Sequence, residues 1–327
     1  MRRLKILAWH IHGSYLNTLG RLNHDWYLPV TPERGPRHGG RGPTFDLGPN
    51  VREVPAGEVR NLELDLVLCQ APENYGEDRE RLLTPAQRRL PTIYLEHNTP
   101  QPHPTNTRHP VADNPDVLLV HVTHYNQLMW DTGTTPTVVI EHAVAVDPSV
   151  RYRGQRREGI TVTNAIQRRG RITGWDLFCA AREQVPLTTV GMETEQIGGL
   201  GDVPYRHLHR TVAEYRFLFS PMRYTSLPLA VIEAMTIGMP VVALATTALP
   251  AAIEDGVNGY CSQNLDVLIE RMRTLIEDPA LAHQLGDNAY TTARSRFSLE
   301  RFAADWDAAF ALVTGNGLKT RAVGAHQ

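Results

Sequence analysis

The run Ser220-Pro-Met-Arg-Tyr-Thr-Ser-Leu-Pro-Leu-Ala-Val-Ile-Glu-Ala-Met-Thr-Ile-Gly-Met-Pro-Val-Val-Ala-Leu-Ala245 decides the fold. An apolar segment, Arg216–Pro221, leads into a loop. Leu227–Ile237 then has helical character, Gly238 halts it, and Pro240–Ala245 is apolar again. Strand, helix and strand in such close order, with both strands apolar throughout, point to a parallel sheet covered on both faces. The helix opens at Ser226-Leu227-Pro228, with an N-cap residue type and an early proline. Its unpaired amides and its dipole would make an anion site, for which phosphate is the common occupant. Glu233 is the one charged residue between Leu227 and Ala245. Such a carboxylate either faces water along a helix stripe or must meet donors, and a ribose diol would supply two.

The same alternation extends outward along the chain. Leu4–His10, Leu64–Gln70, Pro91–His97, Val117–Val122 and Thr137–Glu141 read as buried strands ending in polar residues, with helical stretches at Glu77–Arg89 and Tyr125–Asp131. Nearer the quoted run, Ile160–Asn164 and Leu187–Gly191 read as strands, Trp175–Glu183 and His207–Tyr215 as helices. From Asn264 the pattern is helical to about Val313. Ligands of such sheets bind beyond the carboxyl ends of the strands. There the chain places His10, Gln70, Glu96, His97 and His124. Pro32–Pro43 reads as a mobile loop, and the proline-rich Asn98–Pro115 as a connector of a length that is usually functional or disordered. The polar, Arg-rich Asp147–Gly159 is the best linker.

At 327 residues the chain suits two domains. Hydrophobic residues at 42% and charged residues at 21% exclude wholesale disorder, and a net charge of −2 speaks against a basic nucleic-acid platform. Lys5 and Lys319 are the only lysines. The arginine excess reads mainly as codon bias, with a weak hint of phosphate chemistry because guanidinium forks suit phosphate. Cys69, Cys179 and Cys261 lie far apart without a CxxC pair, so neither a disulfide framework nor structural zinc is expected. The opening residues are too briefly apolar for a signal peptide, and Leu227–Ala245 is too interrupted for a membrane span. A cytoplasmic chain, at most peripheral at the inner membrane, is the expectation. His97, His103 and His109 recur every six residues, but prolines separate them and no Cys or Asp pair joins them. No Asp-x-Asp pair ends a strand, so metal-independent chemistry is expected. The G-x-G-x-x-G fingerprint of a dinucleotide dehydrogenase is missing.

The segment Phe217–Tyr260 resembles the donor-binding core of retaining GT-B glycosyltransferases, the family-4 type (glycosyl transferases group 1). It is carried by Ser220-Pro221, Glu233-Ala234-Met235, Gly238-Met239-Pro240-Val241-Val242-Ala243 and Glu254-Asp255-Gly256-Val257-Asn258-Gly259-Tyr260. The resemblance implies that Glu233 binds the donor ribose and that Leu229 and Ala230 give backbone amides to the diphosphate. The family's first Glu, eight positions before the second, is Thr225 here, and its loop glycines are Ser226 and Pro228. The family's Arg, followed five residues on by Lys-Gly, is matched by Arg168 and by Thr173-Gly174. The resemblance lets Arg171 or Arg169 stand in for the lysine; the three arginines read equally as a solvated basic turn. Gly13 and Ser14 fall where the family has its first glycine loop, and His97 where it puts a group near the sugar. A lone histidine is as readily structural.

The expected fold class is α/β, GT-B, with two Rossmann-like domains facing a central cleft. The expected limits are an acceptor domain at 1–146, a donor domain at 147–298, a terminal helix at 299–314 packing back on the first domain or simply amphipathic, and a disordered tail at 315–327. The implied activity is transfer of a sugar from a UDP- or GDP-linked donor, with retention of anomeric configuration and no cofactor beyond that co-substrate. The catalytic candidates are His97, Arg168 and Arg171; the donor-binding candidates are Gly13, Ser14, Thr225, Leu229, Ala230 and Glu233. The acceptor is open among a glycan, a lipid-linked group and a small molecule, with no nucleic-acid partner. A degenerate relative that only binds a nucleotide sugar or serves as a partner subunit, a GT-B epimerase, and a plain binding module are the alternatives.

Overall fold

The computed structural model describes residues 2–315. The chain divides into two compact units, Val144–Ser298 and a unit built from Met1–Ala143 with the chain from Leu299. In the first unit β1 (Lys5–Ala8), β2 (Asp25–Val30), β3 (Val51–Pro55), β4 (Leu66–Cys69), β5 (Thr92–Glu96), β6 (Val117–His121) and β7 (Thr137–Val139) form one sheet in the order β3-β2-β1-β4-β5-β6-β7. Every pairing is parallel. The order turns back between β1 and β4, which is where a sheet of this winding opens a crevice for ligands. Helices α1 (Gly13–Leu19), α2 (Arg79–Leu82) and α3 (His124–Met129) belong to this unit. The Thr123 hydroxyl caps α3 by accepting the Asn126 N–H at 3.0 Å.

Strands β2 and β3 escape a pattern reading. Pro29 interrupts the first, and the second, at the sheet edge, buries only Val51 and Val54, three residues apart, so it carries no strand period. The expected helix at Glu77–Arg89 is instead a π turn at Asn74–Asp78, the single turn of α2, and a 3-10 turn at Gln87–Arg89. Leu83 is already extended, and Thr84 precedes Pro85, whose ring disfavours helical backbone before it. The loop expected to be mobile, Pro32–Pro43, is pinned to β3. Arg34 forks onto Glu53 with two 2.9 Å bonds, and the Arg41 guanidinium donates to the carbonyls of Leu47, Gly48 and Val51.

The second unit holds β8 (Arg156–Val162), β9 (Leu187–Val190), β10 (Tyr215–Ser220), β11 (Val241–Leu244) and β12 (Gly259–Ser262) in the order β12-β11-β10-β8-β9, again all parallel. Its helices are α4 (Ile166–Arg169), α5 (Trp175–Arg182), α6 (Tyr205–Val212), α7 (Leu229–Ile237), α8 (Leu249–Ala252), α9 (Leu265–Glu277) and α10 (Pro279–Arg296). Arg156–Gly159, expected in the linker, open β8, and Tyr215, expected to end a helix, opens β10. The short β12 has no counterpart in the sequence reading.

The final helix α11 (Leu299–Thr314) belongs to the first unit. Phe302, Trp306 and Phe310 recur every fourth residue and bury in one core with Tyr15, Leu16 and Trp26. His24 reaches Asp307 at 3.0 Å, and Arg301 donates to the Glu141 and His142 carbonyls at 2.9 and 2.7 Å. Of the expected tail, 316–327 lies outside the described residues. Among the described residues no helix is long and apolar enough to cross a membrane.

Candidate functional site

In the second unit the strand order turns back between β8 and β10, so a ligand crevice belongs beyond Val162 and Ser220. A small hollow lies there. Thr161 and Val162, Ser220–Met222, and Pro228, Ala230 and Val231 line it, so two strand ends and the first turn of α7 meet. Gly174 holds this junction closed: a Cβ on it would lie 2.0 Å from the Pro221 carbonyl oxygen, and its φ of +78° favours glycine. The loop after β8 is tied to that after β9, because the Ala165 N–H donates to the Met192 carbonyl at 2.8 Å and Asn164 accepts from the Met192 N–H at 2.9 Å.

Helix α7 starts at Leu229, two residues later than a cap at Ser226 would have it. Pro228 occupies the cap position with no side-chain bond, and a proline there disfavours helical backbone at Leu227 before it. Val231 N–H already bonds the Pro228 carbonyl at 3.0 Å. Leu229 and Ala230, the two residues expected to donate to a diphosphate, are therefore the first two helical amides, which have no partner within the helix. Both are partly exposed, as is Thr225 in the loop before them.

Glu233 lies one turn further along the same face of α7, and its Cα–Cβ bond leans back towards that N-terminus. It is not on a solvent-facing stripe: 7% of it is exposed. The Tyr205 hydroxyl donates to Glu233 Oε1 at 3.1 Å, and His209 Nε2 stands 3.6 Å from Oε2. Tyr205 and His209, one turn apart on α6, meet edge to face with ring centroids 4.9 Å apart. Neither was visible as a site residue in the sequence, since nothing but the fold sets α6 beside α7.

The arginine expectations fare unequally. Arg168 is exposed and forks onto Glu193 at 2.9 and 3.0 Å, and Arg171 pairs with Asp176 at 3.0 Å. Asp176 also takes Arg223 at 2.5 and 2.7 Å, which with its hydrogen bonds holds its carboxyl below the usual range. These are surface pairs and hold their partners weakly, so an incoming polyanion can recruit the cations. Thr173 is different. It is buried, and its hydroxyl donates to the Ile166 and Gly170 carbonyls at 2.9 and 3.1 Å. The position of the family's lysine thus serves the turn itself.

In the first unit a second constellation forms beyond β1 and β4. Gln70 donates through Nε2 to the Trp9 carbonyl at 2.7 Å, which turns Oε1 towards His97 Nε2 at 3.0 Å. A carbonyl only accepts, so the amide orientation is fixed and Nε2 of His97 carries the proton. His12 stacks obliquely on His97 at 4.1 Å between centroids, and Tyr15 meets both His97 and His142 edge to face at 4.7 and 5.5 Å. Burial lowers His97 well below its ordinary pKa, aided by His12 and His142; burial takes His12 to about 4 and His142 to about 3. His97 is therefore neutral at pH 7, with Nδ1 an acceptor suited to a hydroxyl. Gly13 and Ser14 open the short α1 beside it. Gly13 has no room for a side chain, since a Cβ would lie 2.4 Å from the Phe45 ring. The three evenly spaced histidines part company: His109 donates to Glu96 at 3.1 Å, His97 to Gln70, and His103 is exposed. Among the described residues no group of three or more His, Cys, Asp or Glu could hold a metal ion.

The profile of the family described as Glycosyl transferases group 1 matches residues 193–292, which is under half of the chain but takes in β10, α7 and β11. No curated protein matches the sequence. Among solved structures, the sucrose-phosphate synthase of Thermosynechococcus elongatus superposes with a TM-score of 0.72 at 14% identity, covering 96% of this chain and 100% of that one. Anabaena Alr3699/HepE in complex with UDP and glucose gives 0.67 at 16%, covering 94% and 100%. The glycosyltransferase from Rickettsia africae gives 0.64 at 12%, covering 96% and 99%. The fold is GT-B. Two parallel-sheet α/β units, one wound 3-2-1-4-5-6-7 and the other 5-4-3-1-2, are its Rossmann-like halves. The likeness in sequence gathers on the half that carries α7.

Proposed function

We propose that this chain is a glycosyltransferase that moves a sugar from a nucleotide-diphosphate donor to an acceptor, with retention at the anomeric carbon and without a metal. One observation carries the reading: the unbonded amides of Leu229 and Ala230 open at a sheet switch point, and a buried carboxylate, Glu233, follows one turn behind them. A nucleoside diphosphate has that pattern of charge and hydroxyls. The amides and helix dipole take the phosphates, and Glu233 takes the ribose diol. Arg168 and Arg171, released from their surface carboxylates, steady the leaving diphosphate, an electrostatic contribution that grows as the glycosidic bond breaks. Thr225 lines the sugar end of the loop. In the first unit, Gly13 and Ser14 contribute donor contacts and neutral His97 accepts from a sugar hydroxyl. The profile match over 193–292 and the UDP and glucose held by the Anabaena neighbour support this reading.

A second reading has its own observations. Thr173 is engaged by backbone carbonyls, and Thr225 stands where a carboxylate would contact the transferred sugar, so the chain would bind a nucleotide sugar without turning it over. A thermal-shift screen of nucleoside diphosphates, followed by hydrolysis and transfer assays with the matching sugar nucleotides, separates the two. Stabilisation with turnover supports the transferase, and stabilisation without any turnover supports the degenerate binder. No response to any nucleoside diphosphate removes both.

A further inference from the structure

From the contacts around Glu233 we infer that Tyr205 is a positioning residue that sets the discrimination between ribose and deoxyribose nucleotides. The inference rests on the nucleotide-binding reading of α7. A glutamate side chain has three rotatable bonds, and a carboxylate that swings freely recognises a diol poorly, because both oxygens must face the two hydroxyls at once. Here α6 supplies two contacts to the carboxylate. The Tyr205 hydroxyl donates to Oε1 at 3.1 Å, and the edge of His209 stands 3.6 Å from Oε2.

Tyr205 is itself held. It is the first residue of α6, its ring packs edge to face on His209 one turn later, and His209 is buried at 7% exposure. The pair faces α7, so the carboxylate meets a hydrogen-bond donor before any ligand arrives. Each carboxylate oxygen can accept two hydrogen bonds, so the bond from Tyr205 does not by itself exclude a vicinal diol. On this reading Tyr205 acts on the nucleotide through Glu233, so its effect must vanish when the diol or the carboxylate is taken away.

The experiment measures dissociation constants of the full chain by calorimetry for UDP and GDP and for their 2′,3′-dideoxy counterparts. In the wild type the ribose form should bind at least tenfold more tightly. Tyr205→Phe, which removes one oxygen and keeps the ring, should weaken the ribose form three- to tenfold and leave the dideoxy form unchanged. Adding Tyr205→Phe to Glu233→Gln should cost no more than Glu233→Gln alone. Equal losses for both nucleotide forms would assign Tyr205 a merely structural role and overturn the inference, as would an unchanged ribose affinity. If the wild type discriminates but Tyr205→Phe does so equally well, only the positioning role falls. Failure of the wild type to bind any of these nucleotides removes the nucleotide reading of the site and this inference with it.

Discussion

Acidification from pH 7 to pH 5 is expected to destabilise the first unit, and replacing His121 by leucine should remove a defined share of that loss. His121 ends β6 fully buried, with both ring nitrogens lacking a hydrogen-bond partner. Burial, with a smaller push from the neighbouring His109, lowers its pKa to about 3. His142 is buried to a similar degree and lies at about 3. An unfolded histidine takes up its proton near pH ~6.5. Below that value the unfolded chain binds more protons than the native one, so stability falls with falling pH until the native pKa is reached. At pH 5 the unfolded state has gained about 1.4 kcal/mol for each of roughly 1.5 pH units, or about 2 kcal/mol per buried histidine. The carboxylates held low by arginines, Glu53 and Glu193 among them, lose their contribution only below their unfolded range near ~4.5, so the window from pH 7 to 5 isolates the histidines.

Urea unfolding followed by tryptophan emission suits the measurement, since Trp9, Trp26, Trp130 and Trp306 lie in the first unit and only Trp175 in the second. The wild type should lose several kcal/mol between pH 7 and pH 5. His121→Leu should be at least as stable as wild type at pH 7, because it removes orphaned polar atoms from an apolar site. It should also lose about 2 kcal/mol less on acidification. Parallel losses in the two proteins would show that His121 takes up its proton in the folded state as easily as in the unfolded one, and the burial argument would fail.

Three further outcomes are expected. Glu233→Ala should weaken nucleoside diphosphate binding by about 1–3 kcal/mol, the cost of losing charged hydrogen bonds, and calorimetry showing an unchanged affinity would refute the ribose contact. Gly174→Ala should lower the stability of the second unit by at least about 1–3 kcal/mol, since its left-handed backbone and the Pro221 carbonyl both resist a side chain; a melting temperature equal to wild type would contradict the contact. Gln70→Leu should release the His97 tautomer, lowering kcat on the order of tenfold with nucleotide affinity unchanged, and an unaltered pH–rate profile would deny Gln70 that part.

The second unit was legible where its site is local. A single βαβ passage brings β10, the amides of α7, Glu233 and β11 together within Tyr215–Ala245, so spacing and composition could find them. The first unit gave much less, because His12, Gln70, His97 and His142 come from beyond four different strands and share no period. His97 could be suspected from its strand-end position, but the proton on its Nε2 follows only from Gln70 and the Trp9 carbonyl. Tyr205 and Glu233 were hidden from one another for the same reason, since nothing in the chain announces that α6 and α7 are neighbours. Thr173 shows the opposite limit. Read along the sequence it is a missing lysine, a deficit of charge. In the fold its hydroxyl joins two carbonyls of the turn that sets Gly174 against Pro221, and a lysine at that buried position would have to leave both carbonyls and find a path out. On the proposed reading, cationic support for a diphosphate on this side of the site would come from the exposed Arg168, Arg169 and Arg171, and Glu193 and Asp176 compete for the first and the last of these. Binding of the polyanion and rupture of those two surface pairs would be one coupled step, and because added salt weakens the broken pairs as well as the new ones, its strength should fall with salt less steeply than that of a site built on unpaired surface arginines.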